Sequence, residues 1–591
     1  MKESEDSGMI KKLAARIRQY KKQTIATPLF MIGEVAMEAL IPMIMAWLVD
    51  RGIEQGSMSS ILLYGGALLV SAFLSLFFGV TAGKTAAVAS AGFARNLRHD
   101  MYYNIQEYSF SNIDKFSTSS IITRLTTDVT NVQNSFQMIL RMAVRAPLTL
   151  IFSIVMAMTI NARISMVFVI ALPILGLGIY TIMTRTHPIF QRVFKTYDKL
   201  NNVVQENLRG IRVVKSFVRE DYEIGKFNKI SSSIYTDFVH AEKNIAFMSP
   251  LMMTCIFTCT LIIAWLGAKA IVASGNNPEI GMTTGQLMSL ITYVIQILSS
   301  LMMVSFVFLM ITMSRASAQR IVEILDETPD IVSPADGVLE IKDGSIDFDH
   351  VNFSYASRSE RDTLSDIDLH IPSGAVVGIL GGTGSGKSSL VQLIPRLYDA
   401  SSGTVRVGGR DVREYNLTCL RDSVAMVLQK NELFSGTIRE NLRWGNENAT
   451  DEELEEACRL AQADSFIQEF PDKYDSHIEQ GGANVSGGQK QRLCIARALL
   501  KKPKILILDD STSAVDTRTD ALIRAGFRSY IPDTTKLIIA QRVSSVKDAD
   551  LIVVLDDGRI VDAGKHEELL ERCEIYREVH DSQTKGGEDH E

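Results

Sequence analysis

Cysteine is scarce, six in 591 residues, and the six are scattered. Cys255 and Cys259 stand four apart in an apolar stretch, where a helix closes no disulfide between them. There is no CxxC and no Cys/His spacing of the metal-binding kind, so the thiols read as reduced, small buried hydrophobes. Positive charge is not in excess either: 61 Lys and Arg stand against 68 Asp and Glu, a net charge of -7. Phosphate backbones are bound by releasing counterions to a positive field, so nucleic acid is excluded as a partner. No short apolar segment precedes a small-residue cleavage site, and no acid-poor Arg/Ser-rich stretch opens the chain. Neither a signal peptide nor a transit peptide is expected, which points to a prokaryotic plasma (inner) membrane.

Hydrophobic residues make up 46% of the chain and charged residues 22%. A mean hydropathy of +0.10 suits a chain that is part lipid-embedded and part water-soluble. Six apolar stretches lie before residue 320, near 25–49, 61–82, 140–160, 164–184, 247–274 and 286–312. Each reaches the roughly 20 residues a bilayer demands, so six crossings are expected. Lys11, Lys12, Arg16 and Arg18 precede the first, and Lys84, Arg95, Arg124, Arg185 and Lys195 sit in the second and fourth loops. The opposite loops offer little more than Arg51 and Arg163, so both termini are expected in the cytoplasm.

Residues 1–23 read as an amphipathic interfacial helix, with Ile10, Leu13 and Ile17 opposite a cationic face. Residues 24–322 read as the transmembrane domain. Its two long loops, about 84–139 and 185–246, carry helical patterning with few breakers and should extend the membrane helices into water. Pro329 and Pro334 mark a linker over 323–340, strand-like IDFDHVNFSY opens a soluble domain over 341–578, and 579–591 reads as a disordered acidic tail.

Gly381, Gly382, Thr383, Gly384, Ser385, Gly386, Lys387 and Ser388 spell GGTGSGKS, with Ser389 next, between apolar AVVGIL and SLVQLI. Strand, glycine loop and helix in that order make a phosphate cradle: backbone N–H groups close round the phosphates and Lys387 supplies a cation. The Ser388 hydroxyl would reach Mg2+, and Asp509 at the end of KILILDD would hold the rest of its shell. Ser486, Gly487 and Gly488 open a helix in NVSGGQKQR and make a second anion site. Two phosphate-binding edges on one domain suggest a pair of such domains facing each other.

GGTGSGKS, VSGGQ and LILDDSTSAVD, after six apolar stretches, resemble the ABC transporters of exporter type over nearly the whole chain. The resemblance implies an α-helical six-span transmembrane domain with long cytoplasmic helical extensions, fused to an α/β P-loop NTPase domain with a helical subdomain. It implies ATP and Mg2+ as ligands, Tyr355 stacked on adenine, and Gln429 as the glutamine joining Mg2+ to the membrane domain. It places Ser486, Gly487, Gly488 and Gln489 against a partner's ATP, and Ser513 to Asp516 as the loop that crosses to the partner. The stretches from Phe116 and from Asn207 resemble the loops bearing the coupling helices.

Two catalytic positions depart from that family, and Gln480 stands where its exporters commonly show Glu in the loop that contacts a partner's coupling helix. The residue after Asp509 is usually Glu and is here Asp510, and the family's switch histidine is here Gln541. One missing methylene withdraws the base by about 1.5 Å, and an amide cannot carry an imidazole's proton chemistry. The resemblance therefore implies the degenerate-site subunit of a heterodimer, whose second half-transporter supplies the Glu and the His. A homodimeric lipid or peptide exporter and an ATP-gated regulatory membrane protein are the alternatives. Glu34 and Glu38, one turn apart in the first span, are candidates for the substrate cavity; the competing reading is a structural pair bonded to a neighbouring helix. Membrane lipid and a hydrophobic small molecule are the remaining expected partners.

Overall fold

The computed structural model describes residues 2–277, 281–355, 361–510 and 515–588. The chain divides into two compact units, Met1–Gln106 with Thr118–Glu327, and Glu107–Ser117 with Thr328–Glu591.

Among the described residues of the first unit, five helical runs are long and apolar enough to cross a membrane: Arg18–Ile53, Met58–Glu107, Thr118–Arg209, Glu220–Ser274 and Thr284–Asp326. The six apolar stretches thus fall on five runs, because those at 140–160 and 164–184 share the third, 92 residues long. That run is not straight. Asn161 leaves helical space, with φ -155° and ψ 102°. Ser165 Oγ donates to Ala157 O at 2.8 Å, eight residues back. Eight residues of straight helix would hold them about 12 Å apart, so the chain folds back there. Asn161 Oδ1 accepts from Ile164 N at 3.1 Å, the capping bond that starts the next stretch.

Leu62, Leu69, Phe73 and Phe77 on the second run are each more than half exposed. Such a face is stable against lipid and not against water, and the chain is a multi-pass membrane protein. The runs outlast the bilayer, as the long loops predicted; Met58–Glu107 alone has 50 residues. Beyond the apolar stretches polar contacts take over. Asp128, fully buried, accepts from Arg320 Nε at 2.7 Å, and Arg124 donates to the Arg320 carbonyl at 2.7 Å. At the N-terminus, Lys12 of helix Lys2–Ala15 pairs with Asp326 at 2.7 Å, and Arg16 and Arg18, just past that helix, both reach Asp100 at 2.9 Å.

The second unit is built on a six-stranded sheet ordered Arg559–Gly564, Leu551–Asp556, Val376–Gly381, Thr535–Ile539, Ile505–Asp509, Val424–Val427. Every pairing but the first is parallel. Parallel strands are covered on both faces, which is why KILILD reads as a continuous apolar run: Ile505 and Ile507 join one core, Leu506 and Leu508 the other. A smaller antiparallel sheet holds Leu364–Ile371, Ile346–Phe353, Ser402–Val407 and Arg410–Asp411. Helices Ile438–Arg443, Asp451–Leu460, Asp464–Glu469 and Gly487–Leu500 lie between two sheet strands in sequence and make the helical part.

The acidic C-terminal segment differs from its sequence reading. The last helix, Glu574–Glu588, runs through 579–588, so this stretch is not a disordered tail. Tyr576 is buried at its start, and Gln583 is hydrogen-bonded to the protein body, which holds the helix despite its charge.

Candidate nucleotide site

The phosphate loop joins strand Val376–Gly381 to helix Lys387–Gln392. Gly386 has φ 93°, and a Cβ there would lie 2.9 Å from the Thr363 carbonyl. Only glycine takes that conformation at that spacing without strain. Gly382 and Gly384, by contrast, have nothing within 4 Å of a built Cβ, so this side of the loop is open. Lys387 Nζ arches back to donate to the carbonyls of Gly381 and Gly382 at 2.8 and 2.7 Å. Ser385 and Ser389 are buried beneath, while Thr383 faces solvent.

Two strands away, Asp509 ends Ile505–Asp509 on the same sheet edge, and Ser388 Oγ donates to its Oδ1 at 3.0 Å. A cavity of about 340 Å3 collects Tyr355, Thr383, Lys387, Ser388, Gln429 and Asp509, with Asp510 and Gln541 at its wall. This lies at the carboxyl ends of the parallel strands, where open α/β sheets bind ligands. Burial pushes the Asp509 carboxyl up, Asp510 adds to the shift, and the Ser388 hydrogen bond and Lys387 oppose it. Burial likewise pushes Lys387 down against the pull of both carboxylates. Among the described residues no three His, Cys, Asp or Glu converge as a complete metal cage. The oxygen pair Ser388 and Asp509 still fits Mg2+, which takes one or two protein oxygens plus phosphate and water.

Asp510 follows in a left-handed conformation, φ 49°, that Asp tolerates better than most side chains. Gln541 Nε2 donates to Asp510 Oδ2 at 2.8 Å. Burial raises the Asp510 carboxyl, and hydrogen bonds from Gln541 and Gln429 work against it. The two positions that depart from the family therefore close on each other.

Tyr355 is 51% exposed, its hydroxyl tied to Ser389 Oγ at 2.9 Å and its ring edge-on to Phe353 and Tyr398. Sequence reading missed Tyr398. Its hydroxyl donates to Asp114 at 2.7 Å and its ring meets Phe110, both on the short helix Phe110–Lys115. Asn112 of that helix is fully buried, donating to the Thr328 carbonyl at 3.0 Å and accepting from Asp330 N at 3.2 Å. That segment, which ends just before the coupling stretch read from Phe116, thereby belongs to the nucleotide unit, and a row of rings runs from it to Tyr355. The signal, a tyrosine in PRLYD, carries no partner information by itself.

Ser486, Gly487, Gly488 and Gln489 do not line this cavity. They start helix Gly487–Leu500: Ser486 Oγ accepts from Gln489 N at 3.3 Å, and Gln489 Oε1 accepts from Ser486 N at 2.9 Å. Ser513 and Ala514 of the crossing loop lie outside the described residues; Asp516 caps helix Thr517–Tyr530, accepting from Thr519 N at 2.9 Å.

Glu34 and Glu38 are not free cavity anions. Arg145 Nη1 donates to Glu34 Oε1 at 2.8 Å and Arg145 Nη2 to Glu38 Oε1 at 2.7 Å. A carboxylate in the bilayer is stabilised by pairing, and a cation 107 residues along the chain from Glu38 supplies it to both.

Two family descriptions match the chain, the ABC transporter transmembrane region over residues 24–317 and the ABC transporter over 364–513. The chain is 35% identical over 556 residues to an ABC transporter ATP-binding protein of Bacillus subtilis, covering 94% of this chain and 95% of that one. It is 32% identical to the ATP-dependent lipid A-core flippase of Desulfotalea psychrophila, over 83% of this chain and 84% of that one. Its fold matches a bacterial Atm1-family ABC exporter with ATP bound, at a TM-score of 0.77 and 24% identity over 95% of this chain and 98% of that one. A membrane region and an ATP-binding domain fused in one chain, with the phosphate loop built and open, make this protein a member of the ABC transporter family, an exporter whose ATPase is coupled to transport.

Proposed function

We propose that this chain drives export of amphipathic small molecules, drugs or lipids, by alternating access, as the subunit of a heterodimer whose own hydrolytic site is slow. The observation that carries this is the closed Asp510–Gln541 pair, 2.8 Å apart, where the family places a glutamate and a histidine. A carboxylate one methylene short, partnered by an amide that can take up no proton, is a poor base for an attacking water. Ser486 to Gln489 are intact and serve the partner's ATP, and the partner supplies the competent Glu and His. The fold-back at Asn161 supports six crossings rather than five, which puts both termini and the nucleotide domain in the cytoplasm. Lipid as cargo draws on the likeness to a lipid A-core flippase.

In this reading the loop N–H groups and Lys387 bind the outer phosphates, Tyr355 holds the adenine, and Ser388, Asp509 and Gln429 would hold Mg2+ beside the phosphate oxygens. Mg2+, when bound, neutralises charge that develops across those oxygens. ATP held between two nucleotide domains stabilises their closed dimer and its products do not, which is the differential binding that resets the cavity. The stretches from Phe116 and from Asn207, which resemble the coupling-helix loops, carry that change in this reading.

Lys387→Ala should weaken ATP binding by about 10- to 150-fold, the loss of one charged hydrogen bond, read by fluorescent nucleotide titration. The assembly is tested by ATPase turnover in nanodiscs of this chain alone and of this chain with a second half-transporter. The lone chain should be nearly inactive, the pair active, and Asp510→Asn should change the pair less than about twofold. Brisk turnover by the lone chain, abolished by Asp510→Asn, would replace this reading with a homodimer.

A further inference from the structure

The loop that carries Gln541 is held from outside the sheet. Val543 and Val546 are buried and anchor one side of it, but Gln541, Arg542 and Ser544 are exposed. Beside them lies a cavity of about 810 Å3, walled by Asp510, Gln541, Arg542, Lys547, His566 and Gln583. Little packing restrains the loop on that flank. Across it comes one side chain from the C-terminal helix Glu574–Glu588. Gln583 Nε2 donates to the Gln541 carbonyl at 2.8 Å, and Gln583 Oε1 accepts from Val543 N at 2.9 Å. Both halves of the amide are satisfied, and they grip the backbone on either side of Arg542. An amide paired in this way fixes the local backbone in one orientation, as a strand neighbour does. The Gln541 side chain, so aimed, reaches Asp510.

We propose that Gln583 is a positioning residue for ATP hydrolysis, clasping the switch loop so that residue 541 is aimed at the hydrolytic carboxylate. The clasp reads backbone atoms, so it works whichever side chain stands at 541. The C-terminal segment, far along the chain from the phosphate loop, thereby becomes part of the ATPase machinery, and shortening the chain before residue 583 would release it. The inference rests on the assignment of Gln541 to the switch position.

The test uses the full chain in nanodiscs with Gln583→Ala, read in three ways: amide exchange over residues 541–545, single-turnover hydrolysis of bound radiolabelled ATP followed for hours, and melting temperature. Exchange should quicken by about tenfold or more as the clasp opens. The single-turnover rate should fall about tenfold, with ATP affinity within about twofold and melting temperature unchanged. Gln583→Glu keeps the acceptor for Val543 N–H and loses the donor to the Gln541 carbonyl, so its loss should be intermediate. In a Gln541→Ala background Gln583→Ala should cost nothing further, because both act through one side chain. Unchanged exchange overturns the clasp. Faster exchange with an unchanged rate overturns its role in hydrolysis and leaves a packing contact. A fast wild-type rate, by contrast, would overturn the slow-site reading while leaving the clasp intact.

Discussion

Asp510→Glu combined with Gln541→His should raise single-turnover ATP hydrolysis at this chain's own phosphate loop by on the order of 100-fold, about 2.7 kcal/mol. The added methylene carries the carboxylate about 1.5 Å outward, and a displacement of about 1 Å is worth that factor where a water must be held for in-line attack. Gln541 already reaches the carboxylate, and a histidine there adds the proton chemistry an amide lacks. Against this stands the left-handed backbone at Asp510, φ 49°, which Glu accepts less readily than Asp. That strain, about 1 kcal/mol, is smaller than the expected gain. Each single change should recover only part of the rate, since the two side chains act as one unit. A double variant within threefold of the wild-type rate would show that the slow site has another cause.

Arg145→Met should destabilise the membrane unit by about 3–5 kcal/mol, because it leaves two carboxylates without their cation. Glu34 is only 7% exposed, and its second oxygen has no hydrogen-bond partner among the described residues, so the Arg145 bond is what offsets its desolvation. Glu34→Gln with Glu38→Gln in the Arg145→Met background should restore most of the loss, as neutral amides cost far less in the bilayer than ions. Melting temperature and monodisperse yield in detergent read both. Wild-type stability in Arg145→Met would mean that the carboxylates find water or a proton instead, and would return them to the substrate cavity.

These two expectations differ in how much of them the sequence contains. Asp510 and Gln541 are conspicuous because each stands beside a contiguous signal, LILD and LIIA, whose strands deliver the next residue to the sheet edge. The phosphate loop is legible for the same reason: strand, glycines and helix follow one another, so neighbours in sequence are neighbours in space. Even the apolar run KILILD declares a strand covered on both faces. Arg145 is different. It reads as a cation near the start of the stretch at 140–160, and nothing within a few residues says that it turns toward the first helix.

What the sequence by itself determined, then, is whatever closes within one local element: six apolar stretches, the glycine cradle, the capped start of Gly487–Leu500, and the two substituted catalytic positions. The tertiary structure alone decided the pairs that close over long separations. Tyr398 meets Asp114 across 284 residues, Arg145 meets Glu34 across 111, and Gln583 meets Gln541 across 42. It also decided that two apolar stretches share one helical run with a fold at Asn161. The reason is geometric. Residue spacing sets which faces an element has, but which face meets which neighbour depends on helix rotation and on the order of packing, and neither is written in any window shorter than the unit itself.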